Sequence, residues 1–308
     1  MTRQRLLRVM VVTVALAPVL VQFDMGSHAR AADGVAAAVR IHATSRWARP
    51  STDPGGLTYL PGIDALVVCD SEVEETRRYE GANVWIVNRK GRVRRSFSVV
   101  RYTTEPTDVA ARRAKGPWFF TDDGKDRVVI VRAGPDGKIG TSDDQLRSFS
   151  TSRFGSRDPE GLAWGAGGLF ITDGTNRKVY RVRPGPDHRF DGVAPGGDDV
   201  VTSFGAGPLG LRDPEDVAFD PASQRLVLIG RHDQKIVEAT LNGDLVASYD
   251  ISGSGIRFPG GVALAPGTDD PTVMHVFVAD RGVDNNPEQG GGARPGENDG
   301  RIFEFALP

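Results

Sequence analysis

A short pattern occurs five times along the chain and leaves little freedom over its fold. A proline opens each copy, and a strand starts within three residues of it. The copies are Pro54-Gly55-Gly56-Leu57, Pro106-Thr107-Asp108-Val109, Pro159-Glu160-Gly161-Leu162, Pro214-Glu215-Asp216-Val217 and Pro259-Gly260-Gly261-Val262. An apolar run follows in each: 65–70, 117–122, 168–173, 225–230 and 275–280. A third run occupies 83–87, 127–131, 178–182, 235–239 and 301–305. A fourth ends in Ser96-Phe97, Ser148-Phe149, Ser203-Phe204 and Ser248-Tyr249. Four strands per period of roughly 45–55 residues are the signature of a propeller blade. The fold class is therefore all-β, a five-bladed β-propeller of four-stranded blades.

The last copy stops after its third run, at Phe305. Near the other end, residues 39–46 contain the alternating stretch Val39-Arg40-Ile41-His42, which reads as a strand. Pairing of 39–46 with 301–305 completes the fifth blade and hides a sheet edge. Residues 32–38 read as an unstructured lead-in. Ahead of them, Arg3, Arg5 and Arg8 precede an apolar stretch from Val9 to Phe23, and Ala29-Arg30-Ala31 offers a cleavage site. Residues 1–31 are thus expected to be a secretory signal peptide, leaving 32–308 as a single exported domain. The apolar stretch is too short and too interrupted by Pro18 for a comfortable membrane span. Cys69 is the single cysteine, so the fold must stand without an internal disulfide. It ends an apolar run, where a thiol is expected to be buried and inert.

Net charge is −2, and the arginines are scattered among acidic residues instead of forming a basic stripe. That argues against nucleic acid as a partner, and the chain is expected to be a monomer without a stable membrane anchor. The Asn242-Gly243 pair is a strong hairpin signal, making the third and fourth strands of a blade antiparallel neighbours. Alternation then assigns the faces. Connections from fourth to first strand and from second to third lie on one face. That face receives Glu160, Glu215, Asp108 and Asp216 around the channel mouth. It also receives Asp70, Asp122, Asp173 and Asp280 at the ends of the second strands. The long connection 281–300, with Arg281, Asp284 and Asn285, is expected to lie over the same face.

Carboxylates converging on a channel mouth repel one another unless a cation sits between them, and Ca²⁺ takes about six to eight oxygens. Glu160, Glu215, Asp108 and Asp216 are the candidate ligands there. Asp53, Asp158 and Asp213 each precede a proline and read first as turn formers. A second calcium-like arrangement is the loop carrying Asp136, Asp143 and Asp144, with Gly137 and Gly140 permitting sharp turns. Asp187, Asp191, Asp198 and Asp199 occupy the corresponding loop of the next blade. Candidate contacts to a ligand are Asp173, Asp280, Arg281, Asp284, Asn285 and His232. His232 stands beside Asp233 on the acidic face, as a general base or as an exposed turn histidine. Gly205-Ala206-Gly207-Pro208-Leu209-Gly210 fits a dinucleotide fingerprint in letters only, because Pro214 follows closely and leaves no room for a helix. No G-x-S-x-G occurs and no histidine pair has zinc-site spacing.

The stretch Glu160-Gly161-Leu162-Ala163-Trp164, followed by Leu169-Phe170-Ile171-Thr172-Asp173, resembles the gluconolactonase and senescence-marker-protein family. It is also similar to NHL-repeat and SdiA-regulated propellers. The resemblance implies a propeller with six blades as the alternative count, and a metal-binding glutamate at the channel mouth. By that resemblance Glu160 is the first candidate ligand of a divalent metal that polarises a lactone carbonyl or activates water. The chain departs from the pattern in carrying Leu162 where the family has proline. Two functions are expected: a secreted, calcium-binding propeller that takes a ligand or partner on its acidic face, or a metal-dependent hydrolase of lactone or ester type.

Overall fold

In the computed structural model, which describes residues 32–73, 76, 78–283 and 297–308, residues 32–308 form five sheets, one per repeat. Blade one contains β3 (Pro54–Leu60), β4 (Ala65–Asp70), β5 (Val84–Val87) and β6 (Val93–Phe97). Blade two contains β7 (Val109–Ala111), β8 (Trp118–Asp122), β9 (Arg127–Arg132) and β10 (Gln145–Ser150). Blade three contains β11 (Pro159–Gly165), β12 (Gly168–Asp173), β13 (Lys178–Arg183) and β14 (Val200–Gly205). Blade four contains β15 (Pro214–Asp220), β16 (Arg225–Gly230), β17 (Lys235–Ala239) and β18 (Leu245–Asp250). Blade five contains β19 (Pro259–Pro266), β20 (Met274–Asp280), β21 (Arg301–Phe305) and β2 (Ala38–Ala43).

The closure expected from the sequence is present: β2 pairs antiparallel with β21, with Ala43 opposite Arg301 and Ile41 opposite Phe303. The lead-in expectation is corrected. β1 (Ala32–Val35) runs parallel to β18 as a fifth strand on blade four. The outer edge of β18 would otherwise present unpaired backbone groups. The Ala36 N–H extends the pairing by donating to the Asp250 carbonyl at 2.9 Å. Residues 1–31, which carry the signal-peptide expectation, lie outside the described residues, as do Asp284 and Asn285.

The apolar side chains explain the ring. Second strands such as β4, β8 and β12 are buried along their whole length, because each blade is packed on both faces. Five apolar clusters result, each shared by two neighbouring blades. One joins Ile229 and Ile236 of blade four to Val278 and Phe303 of blade five. Another joins Val67 and Val84 of blade one to Trp118 and Phe120 of blade two. Among the described residues there is no single central core; the stabilising burial lies between blades, so the ring must close to complete it.

The innermost strands β3, β11, β15 and β19 each begin with a register shift just after the proline. The shift swings the next two residues toward the axis. At the deeper of these positions the five copies alternate Gly56, Asp108, Gly161, Asp216 and Gly261. A Cβ on Gly161 would meet Asp216 Oδ1 at 2.3 Å and its Cα at 2.4 Å. A Cβ on Gly56 would meet Asp108 Cα at 2.4 Å. Two aspartates therefore fill the axis because three glycines leave them room.

Candidate functional site: the carboxyl-lined channel mouth

Asp108 and Asp216 bridge the blades. Asp108 accepts the N–H of Leu57 in blade one at 2.9 Å and of Leu162 in blade three at 2.6 Å. Asp216 accepts the N–H of Leu162 at 3.2 Å, of Val217 at 2.6 Å and of Val262 in blade five at 2.5 Å. Burial pushes the Asp108 carboxyl up to about 7, and pushes Asp216 well above the carboxylate range, with the neighbouring Asp108 charge adding to it. Two such groups in contact share a proton at neutral pH. Their oxygens are committed to backbone donors, so these two expected ligands serve as an axial brace. Cys69 beside them is fully buried, and burial and the Asp108 charge push its thiol up.

One residue earlier in the repeat, the side chains face the mouth: Gly55, Thr107, Glu160, Glu215 and Gly260. The two glycines accommodate Arg281. A Cβ on Gly55 would meet its Nη2 at 3.3 Å and one on Gly260 its Nε at 3.3 Å. Arg281 Nη2 lies 3.7 Å from Glu215 Oε1 and Nη1 lies 3.4 Å from Glu72 Oε1. Glu215 is buried, and neither of its oxygens has a hydrogen-bond partner among the described residues. Burial raises it to about 7 against the opposing pull of Arg281 and Arg231. Glu160 is raised well above its ordinary value, first by burial and then by the Glu215 and Asp123 charges.

Asp123 and Asp158 complete the site. One carboxylate oxygen each from Asp123, Asp158 and Glu160 lie within 4.8 Å of one another. Asp158 Oδ2 accepts the Thr175 N–H at 2.7 Å, and Asp123 Oδ1 accepts the Gly124 N–H at 2.9 Å. Burial raises Asp123 to about 6, partly offset by Arg281. The three carboxyls line a cavity of about 520 Å³ with Arg212, Arg231 and His232. His232 stands on its rim, 59% exposed in its side chain, 3.9 Å from Asp213 and edge-on to Phe258.

The other expected residues do different work. Asp173 accepts the N–H groups of Arg157 and Asn176 at 3.1 and 2.7 Å. Asp280 accepts those of Arg257 and Phe258 at 3.1 and 2.7 Å and pairs with Arg301. Both carboxylates tie the entry of the first strand to the end of the second, as Asp70 does through Ser51 and the Asp53 N–H. In blade four the position is Gly230, and Asp233 supplies the carboxylate from three residues on, accepting the Arg212 N–H at 2.8 Å. Asp136, Asp143 and Asp144 likewise hold their own loop. Lys138 N–H donates to Asp136, Thr141 Oγ1 to Asp143, and Gly140 N–H to Asp144. The second metal-competent group among the described residues is Asp187, Asp191 and Asp198 in the blade-three loop.

Asp123 was not singled out from the sequence, and Asp158 was read as a turn former. The available signal was the doublet Asp122-Asp123. Asp122 pairs with Arg127 at 2.7 Å, so only the second aspartate is left for the mouth.

The fold and site define a five-bladed β-propeller with a carboxyl-lined pocket at one end of its axis. No protein-family profile and no curated protein sequence matches the chain. Among solved structures it is similar to the glutaminyl cyclase of Myxococcus xanthus, with 13% identity over 90% of this chain and 98% of that one and a TM-score of 0.52. A gluconolactonase-family protein matches at 12% identity over 88% and 98% of the two chains, with a TM-score of 0.46. A streptogramin B lyase matches at 14% identity over 87% of each, with a TM-score of 0.43. At these identities the likeness is one of fold.

Proposed function

We propose that the channel mouth is the ligand site of an exported protein and that it holds a divalent cation, Ca²⁺ fitting best, on Asp123, Asp158 and Glu160. One observation carries the reading. Three carboxylate oxygens lie within 4.8 Å of one another, and all three residues line one cavity; the buried Glu215, whose charge acts on Glu160, has no hydrogen bonds to its carboxylate oxygens among the described residues. Oxygens on one Ca²⁺ sit about 2.3–2.6 Å from it, so such a spacing suits a shared ion. A cation also favours the ionised forms of groups that burial otherwise holds protonated. The rest of the cavity, with Arg231 and His232 on its wall, is left to a polar ligand of small-molecule size.

A metal-dependent hydrolase of lactone or ester type is the second reading. The observation in its favour is that Glu160 and Glu215 are two raised carboxyls whose charges act on one another, with Arg281 3.7 Å from Glu215. Such groups are able to hold or deliver a proton near neutral pH. A bound cation would supply Lewis acidity toward a carbonyl oxygen.

Titration of the metal-free protein with Ca²⁺, followed by calorimetry and by melting temperature, tests the first reading. Stabilisation should grow with free Ca²⁺ by mass action, and Glu160→Gln should abolish most of it. An unchanged melting curve between millimolar Ca²⁺ and chelator refutes the cation site. A panel of lactones and aryl esters, with and without metal, tests the second reading. Metal-dependent turnover lost in Glu160→Gln establishes hydrolysis, and its absence in the wild type leaves a binding protein.

A further inference from the structure

The opposite face of the propeller carries a second cavity of about 510 Å³ between blades two and three. The connections from first to second and from third to fourth strand build it, so it lies away from the carboxyl-lined mouth. Its floor is aromatic. Phe119 and Trp164 stack with centroids 5.7 Å apart and planes at 10°. Phe190, from the loop between β13 and β14, stands edge-on to both at 5.6 and 5.7 Å.

Its walls are cationic. Arg132 lies opposite Gln145, and Arg147 lies opposite Ile130. Two-residue alternation puts Arg132, Ile130 and Arg147 on one face of blade two, the face that packs toward blade three. Arg113 and Arg189 join them from the flanking loops, and no carboxylate among the described residues lines the cavity. None of the ion pairs formed among the described residues uses these four arginines. Like charges on neighbouring strands repel and are disfavoured unless something balances them. Guanidinium groups match phosphate or carboxylate oxygens in pairs, and an aromatic floor offers a flat ring a dry surface.

We propose that this cavity binds a small organic polyanion with a planar ring. Its anionic groups sit among Arg113, Arg132, Arg147 and Arg189, and its ring lies against Phe190, beside the Arg112 guanidinium that stands over the Trp164 ring at 5.2 Å. The volume falls in the range of small-molecule sites, roughly 300–1,000 Å³.

The test is calorimetric titration of the whole protein with ATP, tripolyphosphate and adenosine as probes. ATP is expected to bind at low salt, to weaken as salt rises, and to bind more tightly than either half alone. The double variant Arg132→Gln/Arg147→Gln should weaken ATP about tenfold or more, since charge-assisted hydrogen bonds are lost. Both arginines are exposed and outside the ion pairs, so its melting temperature should match the wild type. Glu160→Gln, on the other face, should leave ATP binding unchanged whether or not the mouth holds a cation. No ATP binding by the wild type, or equal binding by the double variant, overturns the proposal. Tripolyphosphate binding as tightly as ATP overturns the role assigned to the aromatic floor.

Discussion

Replacing Asp216 by alanine tests the idea that two axial carboxyls hold the ring together. Asp216 accepts the Val217 and Val262 N–H groups at 2.6 and 2.5 Å. Both donors belong to buried residues and lose this acceptor in Asp216→Ala. The Leu162 N–H is spared, because Asp108 Oδ2 still accepts it at 2.6 Å. Each buried N–H left unsatisfied costs about 1–3 kcal/mol, so the loss should total about 2–6 kcal/mol. For a domain of this size, where unfolding entropy is about 0.6 kcal/mol/K, that corresponds to a fall in melting temperature of about 3–10 °C. Asp216→Asn is the informative companion. It keeps an acceptor oxygen, and its amide N–H is able to donate to Asp108 in place of the shared proton. Val217 and Val262 donate to different Asp216 oxygens, so the amide keeps one of the two acceptors and the variant should lose about half as much. Guanidinium and thermal unfolding followed by circular dichroism measure both variants. A loss below about 1 kcal/mol in the alanine variant refutes the brace, because it falls short of one orphaned donor. So does equal damage by asparagine and alanine.

Stability of the metal-free protein should fall as pH rises from about 4 to about 7. The folded-state values of Asp123, Glu215 and Asp108 are raised to about 6, 7 and 7, so the favourable contribution of their protonated forms is complete below the unfolded values and lost as pH passes the folded ones. Melting temperature against pH in chelator should show this slope, and Ca²⁺ should flatten it by binding the ionised carboxylates. Truncation before residue 44 removes β2, which pairs along β21, and should abolish cooperative unfolding. Truncation before residue 37 removes only β1 from the edge of blade four and should leave a folded ring, as limited proteolysis of the two truncated proteins will show.

The fold was largely legible in the sequence, and the site only in part. The five prolines, the alternating runs and Asn242-Gly243 determined blade count, strand order within a blade and the pairing of a strand in 39–46 with 301–305, but not the added strand β1. Those signals are local and repeated, and each depends on backbone geometry that neighbouring residues impose on one another. The repeat position also carried Glu160 and Glu215 to one mouth. What the letters did not separate is which of many turn aspartates brings an oxygen to the mouth. Asp173 and Asp280 spend theirs on the N–H groups of Arg157 and Phe258, while Asp123 and Asp158 each bring one within 4.8 Å of a Glu160 oxygen. The same residue type at similar turns takes either role. The outcome depends on which donors the packing of adjacent blades brings within about 3 Å, and only the closed ring decides that.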